Sequence, residues 1–292
     1  MKNAWYRLEN GQSLWPGLVL TFLGICVLFP GALFQGQAIA PGELQFFYYP
    51  WCMEFKASTA TPENWILFDE ILEFYPWRQH MSQSIMNGSI PLWDSTAFCG
   101  YPFQGLFQTA LCYPPDRLTD FLPYNGYTLF RTVLHLLAAA LGMGLYLKKL
   151  KIRTLAITFG MLAYSLSGFM IVWLGHPHFK TATWLPWLFL SVLMLINKSR
   201  AAIPIGIASF ALTLLSGHIE TALHTVSAAL LYWLILIIRD QSSQKGSITG
   251  KLLVILCVSV MLSGAMTAPF AEYLVNSVAY ATRAEGVVTQ GW

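Results

Sequence analysis

Charge is what this chain has least of. Only 11% of its 292 residues are Asp, Glu, Lys or Arg, against roughly a quarter in an ordinary soluble domain. With 55% of the residues apolar or aromatic, a water-soluble globular enzyme is excluded, because the apolar side chains must meet lipid as well as one another. The net charge of +3 is too small for a nucleic-acid partner, which calls for a basic stripe. Cysteine is sparse: the five thiols form no CxxC, and HExxH, P-loop and GxGxxG contexts are missing too. A structural zinc, a zincin or a bound nucleotide cofactor therefore has no support.

Long uncharged runs fill the space that charge leaves. No charged residue falls between Glu9 and Glu43, and residues 14–34 are long enough to cross a bilayer of about 30 Å at 1.5 Å per residue. The Gln35-Gly36-Gln37-Ala38 stretch is a poor cleavage site, so this segment reads as a retained first helix rather than a signal peptide. Similar runs at 132–147, 154–175, 181–197, 201–217, 221–238 and 252–271 bring the count to seven. The expectation is an all-α polytopic membrane protein forming a single domain over 1–292. Its one large extramembrane piece is a first extracytoplasmic loop at 35–126.

Basic residues orient such a chain, because Lys and Arg in short loops stay on the cytoplasmic side. Lys2, Arg7, the Lys148-Lys149-Leu150-Lys151-Ile152-Arg153 run, Lys198, Arg200, Arg239, Lys245 and Lys251 make 11 of the 17 cations, all on one face. Twelve of the 14 acids fall on the other. The N-terminus is expected to be cytoplasmic, in a plasma membrane. An odd span count and an ending just past an apolar helix read as an N-terminal module of a longer chain.

The loop at 35–126 holds nine of the 14 acids. A short amphipathic helix is predicted from Trp77 to the Asn87-Gly88 stop, after Pro76, lying along the membrane surface. Asp69 sits among Phe68, Ile71 and Phe74, with Arg78 downstream. Drying by such neighbours raises a carboxyl pKa and makes a better base, and a cation nearby suits a departing phosphate. The plainer reading is that Asp69, Glu70 and Glu73 solvate an interfacial helix. His176, His178, His218 and Glu220 fall at outer helix ends, where they either line one cavity with Asp69 or are simply hydrated. Arg131 and His135, one turn apart, either cradle a phosphate or anchor their helix. His176-Pro177-His178 lacks a Cys or carboxylate ligand beside it and does not read as a metal site. Cys99 and Cys112 are open to two readings, a disulfide or two small buried hydrophobes.

The string Pro41-Gly42-Glu43, Phe68-Asp69, Phe74-Tyr75-Pro76-Trp77-Arg78, Gly88-Ser89-Ile90-Pro91-Leu92-Trp93, Cys99-Gly100-Tyr101-Pro102 and Tyr113-Pro114-Pro115 resembles the bacterial YfhO-like membrane proteins, which have the GT-C glycosyltransferase fold. Weaker matches at Ser167-Gly168, Gly175-His176, Trp184-Leu185-Pro186, Gly217-His218 and Pro269-Phe270-Ala271-Glu272 extend the resemblance over nearly the whole chain. It implies an enzyme that moves a sugar from a polyprenyl-phosphate donor to a cell-envelope glycan or lipid acceptor on the outer face, without a cofactor. The catalytic base of that fold, an acid of the first outer loop, maps onto Asp69, with Glu43 second. Arg78, Arg131, His176, His178, His218 and Glu220 become candidate substrate-binding residues. The rival classes are a membrane transporter or flippase, which would carry charges at mid-membrane in several helices, and a catalytically silent scaffold.

Overall fold

The computed structural model describes residues 12–54, 64–97, 99–240 and 244–268. Lys2, Arg7, the 269–272 motif and the chain end lie outside them. The described chain is helical almost throughout, and its only pairing of strands among the described residues is a two-residue antiparallel ladder, β1 (Trp93–Asp94) against β2 (Tyr101–Pro102).

Besides short helical turns at Pro30–Phe34, Trp51–Glu54 and Pro114–Arg117, the α-helices are α1 (Trp15–Leu28), α2 (Tyr75–Met86), α3 (Tyr124–Lys149), α4 (Thr154–Ser165), α5 (Gly168–Val172), α6 (Pro177–Ala182), α7 (Leu185–Ile196), α8 (Ala202–Leu215), α9 (Ile219–Arg239) and α10 (Lys245–Thr267). Five segments are long and apolar enough to cross a membrane: Tyr124–Lys149, Thr154–Val172, Pro177–Ile196, Ile219–Arg239 and Lys245–Thr267. These five make the chain a membrane protein by length and composition. The first and fifth of the seven runs are also apolar helices but shorter, α1 and α8 having 14 residues each.

Proline punctuates this architecture. Pro16, Pro76, Pro177 and Pro186 stand in the first turns of α1, α2, α6 and α7, where the missing N–H has no intrahelical partner to lose. Inside the helices the hydroxyls bond back one turn: Ser165 to the Met161 carbonyl, Thr183 to Phe179, Thr213 to Ser209 and Ser259 to Ile255. That habit satisfies a polar side chain where no water is at hand.

The bundle core forms in two main patches. Leu190, Leu195, Ala202, Ile248 and Ile255 join α7, α8 and α10. Ile25, Leu136, Met170, Leu174 and Phe179 join α1, α3, α5 and α6. Close contact between α3 and α7 needs Gly142: a Cβ there would fall 2.5 Å from Trp187 Nε1, which donates to the Ala138 carbonyl at 2.9 Å.

The described part of the 35–126 segment is tied together by its own polar contacts. Helix α2 begins within two residues of its sequence-based start and ends at Asn87, with Gly88 at φ +74° turning the chain. Its buried residues are Arg78 and Met81, while Met86 is 67% exposed, so the buried face of this amphipathic helix is narrow. Asp94 accepts from Thr96 and from Tyr101, whose hydroxyl also receives Trp77 Nε1 at 3.0 Å; this pins the β ladder to α2. Cys99 and Cys112 are free thiols, Cys112 pointing to the Met266 carbonyl, so the disulfide reading fails.

Candidate functional site

Immediately before α2, residues Glu70–Phe74 form a single π-helical turn, a local widening that often re-aims a side chain. The turn splits the neighbouring acids. Asp69 faces solvent and Glu73 is half-buried, its carboxyl raised above the ordinary value by burial and by Asp69. Glu70 is 1% exposed. The drying that Phe68, Ile71 and Phe74 imply for Asp69 thus acts on its neighbour.

Three groups from elsewhere surround Glu70. Tyr124, the first residue of α3, donates its hydroxyl to Oε1 at 2.6 Å. Arg131, two turns further along α3, places Nη2 3.8 Å from Oε1, an ion pair too long for a hydrogen bond. Gly175 closes the third side: a Cβ on it would lie 1.6 Å from Glu70 Oε2, so only glycine leaves room for the carboxylate. Among the described residues Oε2 itself has no hydrogen-bond partner, and neither do Arg131 Nε and Nη2. Burial raises the Glu70 carboxyl above its ordinary value, against the opposing pull of Arg131, Tyr124 and Lys180.

Glu70 stands between two spaces. On one side lies a groove of about 350 Å³. Its apolar wall comes from the end of α1 and the segment after it (Phe29, Ala32, Ile39) and from α5 and its exit (Ile171, Leu174); its polar end is Glu70, Gly175 and His176. On the other side is a chamber of about 30 Å³ lined by Arg78, Arg131, Lys180, Tyr124 and Tyr127, about the share of liquid volume taken by one water.

The cations around that chamber are mostly engaged already. Arg78 gives Nη1 to Asp120 Oδ1 at 2.5 Å and Nη2 to the Thr119 carbonyl at 2.5 Å, and its guanidinium lies 4.0 Å over the Tyr127 ring. Lys180 gives Nζ to Asp116 at 2.7 Å, both side chains being buried. Burial pushes the Asp116 carboxyl up, but Lys180, with His135 and Arg117, outweighs it and holds the carboxyl below its usual value. His135 continues the network. The Arg131 carbonyl can only accept, so His135 Nδ1 carries the proton and Nε2 accepts from Tyr113, which in turn receives Trp184 Nε1. The anchor reading of His135 fits this arrangement.

The histidines gather next to the groove. His176 is 2% exposed, its ring against Phe74 and Trp173, with neither nitrogen hydrogen-bonded. Burial, then the charges of His178, Arg131 and His218, push it down to about 4. His178 stacks on Trp173 and lies 3.7 Å from the His218 ring, centroid to centroid. His218 Nδ1 accepts from the Thr221 amide and so caps α9. No group of metal-ligating residues occurs among the described residues.

No family model, curated protein or solved structure matches the chain. The site therefore has to be argued from its geometry. Of the residues named from sequence, Arg78 and Arg131 line the small chamber, His176 lines the groove, and His178 and His218 stand behind His176. Asp69 and Glu43 are exposed, each within two residues of a groove-lining position, Glu70 and Pro41. Glu220 is exposed in the first turn of α9. Sequence reasoning passed over Glu70, Tyr124 and Gly175. The signal for Glu70 was in the pattern: Glu70, Phe74, Arg78 and Met81 recur at three- to four-residue spacing, the stripe that faces a core.

Proposed function

We propose that this chain is a glycosyltransferase of the GT-C type, with seven spans and a cytoplasmic N-terminus, in a bacterial plasma membrane. It moves a sugar from a polyprenyl-phosphate donor to a cell-envelope glycan or lipid on the outer face. One observation supports this most: a buried carboxylate with a free oxygen, Glu70, placed on an apolar groove beside a buried arginine with unpartnered N–H groups. A hydroxyl nucleophile needs such a base, and a phosphate leaving group needs such a cation.

The reaction runs as an inverting displacement. The acceptor oxygen attacks the anomeric carbon, its proton passes to the carboxylate, and the bond from that carbon to the phosphate oxygen breaks. The leaving phosphate keeps the electron pair; Arg131 is the buried cation with unpartnered N–H groups next to Glu70, and the small chamber it lines has to widen for the phosphate to reach it. Arg78 serves that cation from behind, because its own fork is held by Asp120 and Thr119. Glu70 is the base this arrangement favours, with Asp69 and Glu43 as carboxylates at the rim. No nucleotide is needed, since the sugar arrives activated on lipid.

A proton-coupled carrier gains little from the same arrangement, because the buried cations stand in the loop or within the first turns of α3 and α6 and Glu70, Asp116 and Asp120 each have one close by. The test is sugar transfer by the purified chain in vesicles supplied with a radiolabelled polyprenyl-phosphate hexose. Label appearing in an envelope glycan or lipid extract supports the reading. Movement of the intact donor between leaflets, with no transfer, overturns it in favour of a flippase.

A further inference from the structure

The groove beside Glu70 carries a second message in its chemistry. Its walls are mainly apolar, with Gln37 the one polar side chain among them, and two of the residues that line it, Leu28 and Val172, are 48% and 43% exposed on the outside of the bundle. The groove is thus continuous with the surface that meets the hydrocarbon of the bilayer, and a molecule already dissolved in lipid can enter it sideways. At about 350 Å³ it lies at the lower end of the range for small-molecule sites, about 300–1,000 Å³. That is room for one alkyl chain and a small head.

The polar end selects the head. Among the described residues only two ionisable groups line the groove, Glu70 and His176. Both are at least nine-tenths buried and both carry unpartnered atoms: Glu70 Oε2 and the two ring nitrogens of His176. His176, pushed down to about 4, is neutral near pH 7 and offers one donor and one acceptor. Among the described residues, Arg78, Arg131 and Lys180 line the small chamber and no Lys or Arg lines the groove. A phosphate head in the groove would face the Glu70 carboxylate with no cation lining the same space, whereas a hydroxyl both donates to Oε2 and accepts from His176.

We propose that the groove binds an uncharged, hydroxyl-bearing lipid from the bilayer, its chain along Phe29, Ala32, Ile171 and Leu174 and a head hydroxyl between Glu70 Oε2 and His176. Its role as acceptor of the sugar rests on the transfer reading above; its binding does not. The geometry puts the hydroxyl proton on the carboxylate that the transfer would need as base.

The probe is monododecanoylglycerol carrying a photoreactive diazirine in its chain, added to the chain reconstituted in phosphatidylcholine vesicles. Saturable crosslinks should map to residues 28–41 and 171–176. Unlabelled monododecanoylglycerol should compete about tenfold or more better than dodecyl phosphate, the size expected for a hydrogen bond to a charged partner. Glu70→Gln should narrow that preference, and Ala40→Phe, which fills the groove, should abolish the crosslinks. Equal competition by the two lipids in the wild-type chain, or crosslinks untouched by Ala40→Phe in a monodisperse protein, overturns the proposal without appeal to any other variant. If the glycerolipid binds here but receives no sugar, the groove stands and the transfer reading falls. If sugar is transferred while the groove stays unlabelled, the reverse holds.

Discussion

Gly175→Ala isolates the contact on which the site depends. The added Cβ would sit 1.6 Å from Glu70 Oε2 and 2.5 Å from its Cδ, well inside any tolerable approach, so the carboxylate must swing away. Swinging breaks the 2.6 Å bond from Tyr124 and the pairing with Arg131. A hydrogen bond to a charged group contributes about 1.5–3 kcal/mol, and that is the expected loss of stability. The backbone itself is no obstacle, because Gly175 is not among the glycines at positive φ. Gly42→Ala is the control, since a Cβ there meets nothing within 4 Å; it should stay within about ±0.5 kcal/mol. Unfolding in mixed micelles titrated with dodecyl sulfate reads both. A double-mutant cycle with Glu70→Ala then assigns the cause: once the carboxylate is gone, Gly175→Ala should cost almost nothing. Equal behaviour of the two alanines, or full additivity in the cycle, would refute the claim that Gly175 exists to seat Glu70.

Other expectations follow from the same contacts. Arg131→Gln removes a charge that holds the Glu70 carboxyl down, so the acid limb of the pH–rate profile should move to higher pH and activity at pH 6 should fall more than at pH 8; a limb that stays in place separates Arg131 from Glu70. Arg78→Lys keeps the charge but cannot reach Asp120 and the Thr119 carbonyl together, and should cost about 1–3 kcal/mol in stability; an unchanged unfolding midpoint would contradict the buried fork. For topology, single cysteines at the exposed positions Ser89 and Arg200 should react with an impermeant maleimide from outside and from inside respectively, and labelling from one side alone would sink the orientation.

The membrane architecture was legible in part because hydrophobic length is a one-dimensional signal: five of the seven apolar runs fall on segments long and apolar enough to cross a membrane, and the first and fifth fall on the shorter helices α1 and α8. The start and stop of α2 were legible for the same kind of reason, Pro76 and Gly88 being local punctuation. Choosing among Asp69, Glu70 and Glu73 was a different problem. Neighbouring acids share one local environment in sequence, and only the π turn together with Gly175, 105 residues away, decides which is buried. Arg78 was singled out as a cation for the donor phosphate; the structure buries it against Asp120, 42 residues on, a partner beyond what helical spacing reveals. The histidines were grouped correctly at the helix ends, whereas the contact of His178 with His218 depends on how α6 meets α9.

The account turns on which carboxylate takes the proton. Turnover of a polyprenyl-phosphate sugar should be measured side by side for wild type, Glu70→Gln and Asp69→Asn, each checked for monodispersity. Glutamine keeps the shape of Glu70 and its acceptor for Tyr124 but removes the base, so turnover should fall about 10²- to 10⁴-fold, while the exposed Asp69→Asn protein stays close to wild type. A well-folded Glu70→Gln protein with near wild-type turnover, beside an inactive Asp69→Asn protein, would contradict the account and return the base to Asp69.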